Sequence, residues 1–314
     1  MSEVPSIIFD DFTMDSKYVN FPYSVRSSAI KILQNKPNVD IYFCNLILNA
    51  IHFPDLGHAR HYISYVQNQE CNIPSFAEQK RIGDFFRTLD DLIVAAERKV
   101  ELLKRRKKAY LQRIFNQELR FKGFTDDWAQ RQVKDIAHEC HGGGTPSTQI
   151  AQYWEGNTPW LQSRDLTENV LFSTTSNKYI SNQAIESSAT QLVPKDSIAI
   201  VTRVGVGKLV LLPYSYCTSQ DFLSLSGLTK DNDFLVYALY IVLQHKKNRV
   251  QGTSIKGITK TELLSSNISV APSKMEQKRI GDFFRTLDNL IVAAERKTDL
   301  LKRKKQAYMQ RMFV

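Results

Sequence analysis

The chain is poor in cysteine, with four in 314 residues: Cys44, Cys71, Cys140 and Cys217. None forms a C-x-x-C pair, which excludes a zinc ribbon and leaves no disulfide framework. No apolar run approaches the roughly 18 residues that a membrane span needs. The N-terminus, MSEVPSIIFDDF, is acidic and lacks a signal-peptide core, so the cytoplasm is the expected location. Val204-Gly205-Val206-Gly207-Lys208-Leu209 has two glycines and a lysine but lacks the G-x-x-x-x-G-K-[ST] spacing of a phosphate loop. His138-Glu139-Cys140-His141 groups potential metal ligands without the H-E-x-x-H spacing, and nothing nearby completes a four-ligand set. His58 and His61 suit structure or a phosphate contact. No nucleophile-and-base arrangement and no methyl-donor loop stands out. The chain reads as a recognition subunit whose partners do chemistry.

Proline is absent from two further stretches, and these are nearly the same sequence. Glu78 to Phe115 and Glu276 to Phe313 match at 31 of 38 positions, at an offset of 198 residues. That spacing is too long for a solenoid or propeller. Within the first copy, Ile82, Leu89, Ala96, Leu103 and Tyr110 recur every seven residues. Phe86, Ile93, Val100 and Ile114 form a second row, interrupted by Lys107. Two such rows make one apolar seam, the coiled-coil signature. The helix would be roughly 50–57 Å long. Its seam needs a partner, and the other copy supplies one, packed antiparallel. Gly83 and Gly281 mark either a break or a close helix approach.

Net charge is +10, and all of the excess lies on these arms. The first carries 11 Lys/Arg against 6 Asp/Glu, the second 10 against 5, and the remainder 21 of each. The density peaks at Lys104-Arg105-Arg106-Lys107-Lys108 and Lys302-Arg303-Lys304-Lys305. Such a stripe suits a polyanion or an acidic protein partner, or it is a solvated helix face.

Four segments follow: a first head at 1–75, an arm at 76–115, a second head at 116–275 and an arm at 276–314. In the second head, Gly142 to Ser147 is turn chemistry, and Ser197 to Pro213 reads as a strand pair around Gly205 and Gly207. Asp231 to Lys247 has the spacing of an amphipathic helix, and Asn267 to Pro272 of a last short strand. A compact α/β domain results. Carried into the first head, the offset of 198 pairs Met1 with Ala199, so that head is expected to lack a counterpart of residues 116–198.

Several motifs, in order, resemble the specificity subunits of type I restriction–modification systems. They are the arm EQKRIGDFF-RTLD-LIVAAERK, the stretch Glu118 to Trp128, and Gly143-Gly144-Thr145-Pro146-Ser147 with Tyr153-Trp154, Pro159-Trp160 and Asp165. Arg203 to Gly207, Gln220 and Gly257-Ile258-Thr259-Lys260 complete the set. The resemblance covers about residues 37–314 and implies α/β target recognition domains joined by two long helices as an antiparallel coiled coil with pseudo-two-fold symmetry. It further implies a split double-stranded DNA target and docking of methyltransferase and motor-endonuclease subunits. Those partners would carry S-adenosylmethionine, ATP and magnesium; this chain would hold no cofactor or metal. The first recognition domain is expected to be truncated at its N-terminus.

Base reading needs paired donors and acceptors, with cations and loop amides on phosphates. The candidates are Thr145, Ser147, Gln162, Ser163, Arg164, Arg203, Lys208, Gln220 and Lys256. Arg203 suits guanine and Gln220 adenine; the alternative for Arg164 and Arg203 is a surface ion pair. Ile82, Phe86, Leu89, Ile93, Leu103 and Leu301 belong to the seam. Lys104, Arg105, Lys108, Lys302 and Arg303 are the docking candidates. Two other readings remain open: a coiled-coil interaction protein that binds methyltransferase without reading DNA, and a lone DNA-binding module.

Overall fold

The computed structural model of the chain describes residues 4–51, 60, 62–250 and 257–313. The first elements are β1 (Ser6–Asp10), β2 (Ser16–Val19), β3 (Ile30–Leu33), α1 (Ile41–Ala50) and the long α2 (Phe76–Phe115). Next come β4 (Ala129–Gln132), β5 (Ala137–Gly142), β6 (Thr158–Leu161), β7 (Tyr179–Ile180) and α3 (Asn182–Ser187). β8 (Ser197–Val201), β9 (Leu209–Leu212), β10 (Cys217–Thr218), β11 (Phe222–Leu228) and α4 (Asn232–Val250) follow. The chain closes with α5 (Lys260–Leu264), β12 (Asn267–Val270) and the second long helix, α6 (Lys274–Met312).

Two compact units result. One comprises Met1–Leu102 with Ile291–Val314, the other Leu103–Leu290, so each contains a head and part of both long helices. The long helices begin alike. Ser75 and Ser273 accept from the amides of Glu78 and Glu276, the S-x-x-E start of a helix. Neither breaks at its glycine. A β-carbon on Gly83 would lie 3.4 Å from Asp40 Oδ1, and one on Gly281 2.9 Å from Asp233 Cβ. Both glycines therefore serve close approach to the start of a head helix.

The helices run antiparallel in each unit taken separately. In the first, Phe85 meets Tyr308 and Lys305 pairs with Asp90. In the second, Lys107 pairs with Asp288 and Tyr110 meets Phe283. Lys107–Asp288 and Lys305–Asp90 are the same pair with the repeats exchanged, one in each unit. Phe86 and Ile93 are buried in the seam, and Ile82, Leu89, Leu103 and Leu301 are half-buried. Lys107 does not interrupt the seam as a solvent residue. It is buried, its ammonium held by Asp288 and lying over the Tyr237 ring. The basic run loses this member to the interior; Lys104, Arg105 and Lys108 remain exposed.

The second head stacks several small sheets. β5-β11-β8-β9 is antiparallel; β6 joins β7 antiparallel and β10 parallel; β4 pairs with β12. The expected strand pair is β8–β9, with Gly205 and Gly207 at φ of +93° and +99° in the turn, where a side chain would be strained. The expected amphipathic helix is α4, but it is buried all round from Phe234 to Leu239. Sheet residues cover one side and the α6 residues Phe284 and Asp288 contact Tyr237 on another, so no polar face survives there. On the strand β5, neighbours alternate between faces. His141 turns to Ser226, and among the described residues no group of three or more potential ligands could hold a metal ion.

The first head repeats the back of the second with a different register. β1 lies between β2 and β3, as β8 lies between β9 and β11. Ser6–Asp10 corresponds to Ser197–Val201, an offset of 191 rather than 198. Asp40 caps α1 by accepting from Phe43 N and Asp231 caps α4 by accepting from Phe234 N, again 191 apart. Their own amides donate to Gln79 and Gln277, which are 198 apart. The connection from head helix to arm is thus seven residues longer in the second head, so the arm's offset does not carry forward to the strands. Met1 lies outside the described residues.

Candidate nucleic-acid interface

One end of the four-stranded sheet gathers the sequence candidates. Gly142 pairs with Leu223, Phe222 with Val201, and Ile200 with Leu209, so loops 143–147, 219–221 and 202–208 leave from the same end of the strands. The parallel pair β6–β10 ends with Leu161 beside Thr218 and adds loop 162–165.

Hydrogen bonds tie these loops together. Gly144 N donates to Thr218 O and Ser219 N to Leu161 O. Thr145 Oγ1 donates to Gln220 Oε1 at 2.8 Å. Lys208 Nζ donates to Ser163 O at 3.1 Å, and Thr202 N to Asp221 O. Two tryptophans anchor the glycine loop. Trp160 is buried and donates from Nε1 to Gly144 O; Trp154 donates to Ser147 O and meets Trp160 edge-on. Asp165 is buried and accepts from Gln162 N and Asn177 Nδ2, which shapes the 162–165 turn.

Eight of the nine candidates therefore share one surface region. Thr145, Ser147, Arg164, Arg203 and Gln220 are exposed, while Gln162, Ser163 and Lys208 are half-buried. Lys256 and the two histidines His58 and His61 lie outside the described residues. Among the described residues, neither Arg164 nor Arg203 has an ion-pair partner within salt-bridge distance, so the surface-pair alternative finds no acidic group here. Gln220 keeps its NH2 donors and a second lone pair on Oε1. Lys178 was not legible in the sequence. It lies 4.8 Å above the Trp154 ring, brought there by the β6–β7 pairing, and adds a cation beside the glycine loop.

The corresponding turn of the first head has the opposite charge. Asp10 N bonds to Asp15 O as Val201 N bonds to Lys208 O. Asp10, Asp11 and Asp15 occupy this turn, where the second head has Arg203 and Lys208; Asp11 is buried and pairs with Lys31, and the Arg60 guanidinium lies over the Phe12 ring. On the arms, Lys302 pairs with Glu97 and Arg303 with Asp299.

A family model described as the type I restriction modification DNA specificity domain matches residues 125–303, more than half of the chain. The chain belongs to this family of type I specificity subunits. The specificity subunit of the Escherichia coli EcoR124I/EcoR124II restriction enzyme is 30% identical over 339 residues, which takes in 99% of this chain and 80% of that subunit. The MjaIX specificity subunit of Methanocaldococcus jannaschii is 26% identical over 56% of this chain and 41% of its own length. A crystal structure of the M. genitalium type I S subunit is similar in fold, with a TM-score of 0.64 at 12% identity, covering 99% of this chain and 83% of that one. A type I specificity subunit is a DNA-recognition component that assembles with other subunits. No helix among the described residues is long and apolar enough to cross a membrane.

Proposed function

We propose that this specificity subunit reads one half of a split DNA target with the loop end of its second head, and that it is not itself catalytic. The convergence of Thr145, Gln220, Arg203 and Lys208 from separate chain segments carries this reading. Arg203 and Gln220 read base edges. Lys208, Arg164 and Lys256 meet phosphates, as do the amides and hydroxyls of loops 143–147 and 162–165, including Thr145, Ser147, Gln162 and Ser163. The paired long helices hold methyltransferase subunits through Lys104, Arg105, Lys108, Lys302 and Arg303, and motor-endonuclease subunits join that core. S-adenosylmethionine, ATP and magnesium belong to those partners, and the complex works in the cytoplasm.

Arg203→Ala or Gln220→Ala should weaken binding to the cognate duplex by about 1–3 kcal/mol and leave scrambled duplexes nearly unaffected. Titrations on both duplexes decide this. Equal losses on the two would make the residues phosphate contacts, not readers.

Neutralising Lys104, Arg105 and Lys108 together should lower methyltransferase co-purification without changing base preference or DNA affinity of the isolated subunit. A uniform fall in DNA affinity with a flatter salt dependence would instead put the stripe on phosphate, because fewer counterions would be released.

A further inference from the structure

Val204 is 71% exposed, more than any other large apolar side chain among the described residues. It stands in the β8–β9 turn, between Arg203 and Gly205. A lone surface valine ordinarily calls for no purpose. Here the same turn offers a direct comparison. Val206, two residues on, packs back against the core of the second head. Val204 stays in solvent, beside the exposed guanidinium of Arg203.

Three other segments brace this turn. Thr202 N and Thr202 Oγ1 donate to Asp221 O at 2.8 and 3.0 Å. Ile258 N donates to Thr202 O at 2.7 Å, and Lys208 Nζ to Ser163 O at 3.1 Å. Val201 N closes the turn on Lys208 O at 2.9 Å. Gly207 is buried, and a β-carbon there would lie 3.1 Å from Lys247 Cδ. The valine adds little freedom of its own, since branching at Cβ restricts its single χ1. A stiff apolar knob therefore stands in the loop cluster that also holds Gln220 and Lys208.

We infer, taking the loop end of the second head as the base-reading surface, that Val204 selects a thymine by packing against its C5-methyl group. In the major groove that methyl is the apolar group a base pair presents; the other features are hydrogen-bond donors and acceptors. A valine pressed on phosphate or on those polar edges would strip their water and return no hydrogen bond. Insertion between base pairs is another use of apolar side chains on DNA, but it takes larger wedges such as Phe, Leu or Met, from the minor groove. Consecutive Cα atoms lie about 3.8 Å apart, close to the rise of about 3.4 Å per base pair. Arg203 and Val204 therefore reach neighbouring base pairs, and the thymine lies beside the base that Arg203 reads.

The probe is a duplex selected by the full chain from a randomised pool, with each thymine replaced in turn by deoxyuracil. That exchange deletes one methyl and keeps every hydrogen-bonding group. At one position, next to the one relaxed by Arg203→Ala, uracil should weaken binding roughly fourfold, the worth of one buried methyl. Val204→Ser should bind the thymine duplex as weakly as the parent binds the uracil one and show no response to uracil there. It should keep the parent's affinity for scrambled DNA and its melting temperature, and Val204→Ile should keep the preference for thymine. A selected duplex with no thymine beside the Arg203 position, no uracil effect at any position, or a uracil effect that persists in Val204→Ser would each overturn the inference. If Arg203→Ala and Gln220→Ala also leave discrimination intact, the base-reading assignment itself falls and takes Val204 with it. If those two lose discrimination and Val204→Ser does not, the role of Val204 alone falls.

Discussion

Gly143→Ala should reduce binding to the cognate duplex by about 100-fold or more, bringing it toward the affinity for scrambled DNA. Gly143 needs no unusual backbone angle; it needs the absence of a side chain. A β-carbon there would sit 1.8 Å from Ser219 O and 2.6 Å from Thr218 Oγ1. The obstructing atoms are largely backbone, so relief requires moving loop 143–147 away from loop 218–220. That movement pulls Thr145 from Gln220 and strains the Gly144 N bond to Thr218 O. Overpacking of this kind costs about 1–3 kcal/mol of stability, less than the core of this head can supply. The variant should therefore remain folded and lose discrimination. Binding titrations beside a thermal melt measure the two effects separately. Cognate affinity within threefold of the parent, in a folded variant, would remove these loops from the reading surface.

Lys107→Met should destabilise the second unit by about 3–5 kcal/mol, because it leaves the Asp288 carboxylate partly buried without its cation. Tyr237 still donates to Asp288, and burial followed by the Asp288 charge pushes that phenol well above its ordinary pKa. It therefore stays protonated. A raised phenol contributes its full stability below the ordinary tyrosine value of about pH 10 and loses it only above, so neutral-pH titrations isolate the lysine. The repeat provides the control. Lys305 and Asp90 form the same pair, with side chains 29% and 38% exposed against 9% and 19% for Lys107 and Asp288. Water screens that pair, and Lys305→Met should cost about 1 kcal/mol or less. Hydrogen exchange resolved by unit would read both variants. Equal costs would mean that burial does not distinguish the two pairs.

The sequence alone determined the arms. A seven-residue apolar period over 38 positions admits little besides a long helix with a seam, and its duplication supplies the matching partner. Local turn chemistry likewise marked the β8–β9 hairpin, and the ordered motifs marked the family. Tertiary structure alone decided that Lys107 is a seam residue, since nothing in its neighbours says that Asp288 waits across the interface. It decided the burial of Val236 and Tyr237, because a helix covered on two sides has no polar face to reveal it. It decided that β1 and the start of α1 follow an offset of 191, a register marked by the matched strands and two capping aspartates. The meeting of Thr145 with Gln220, 75 positions apart, and of Lys178 with Trp154 also belongs to the fold. Helical periodicity is local and survives in one dimension. Strand register, loop convergence and the identity of a buried charge's partner are long-range, fixed only when distant segments close on each other.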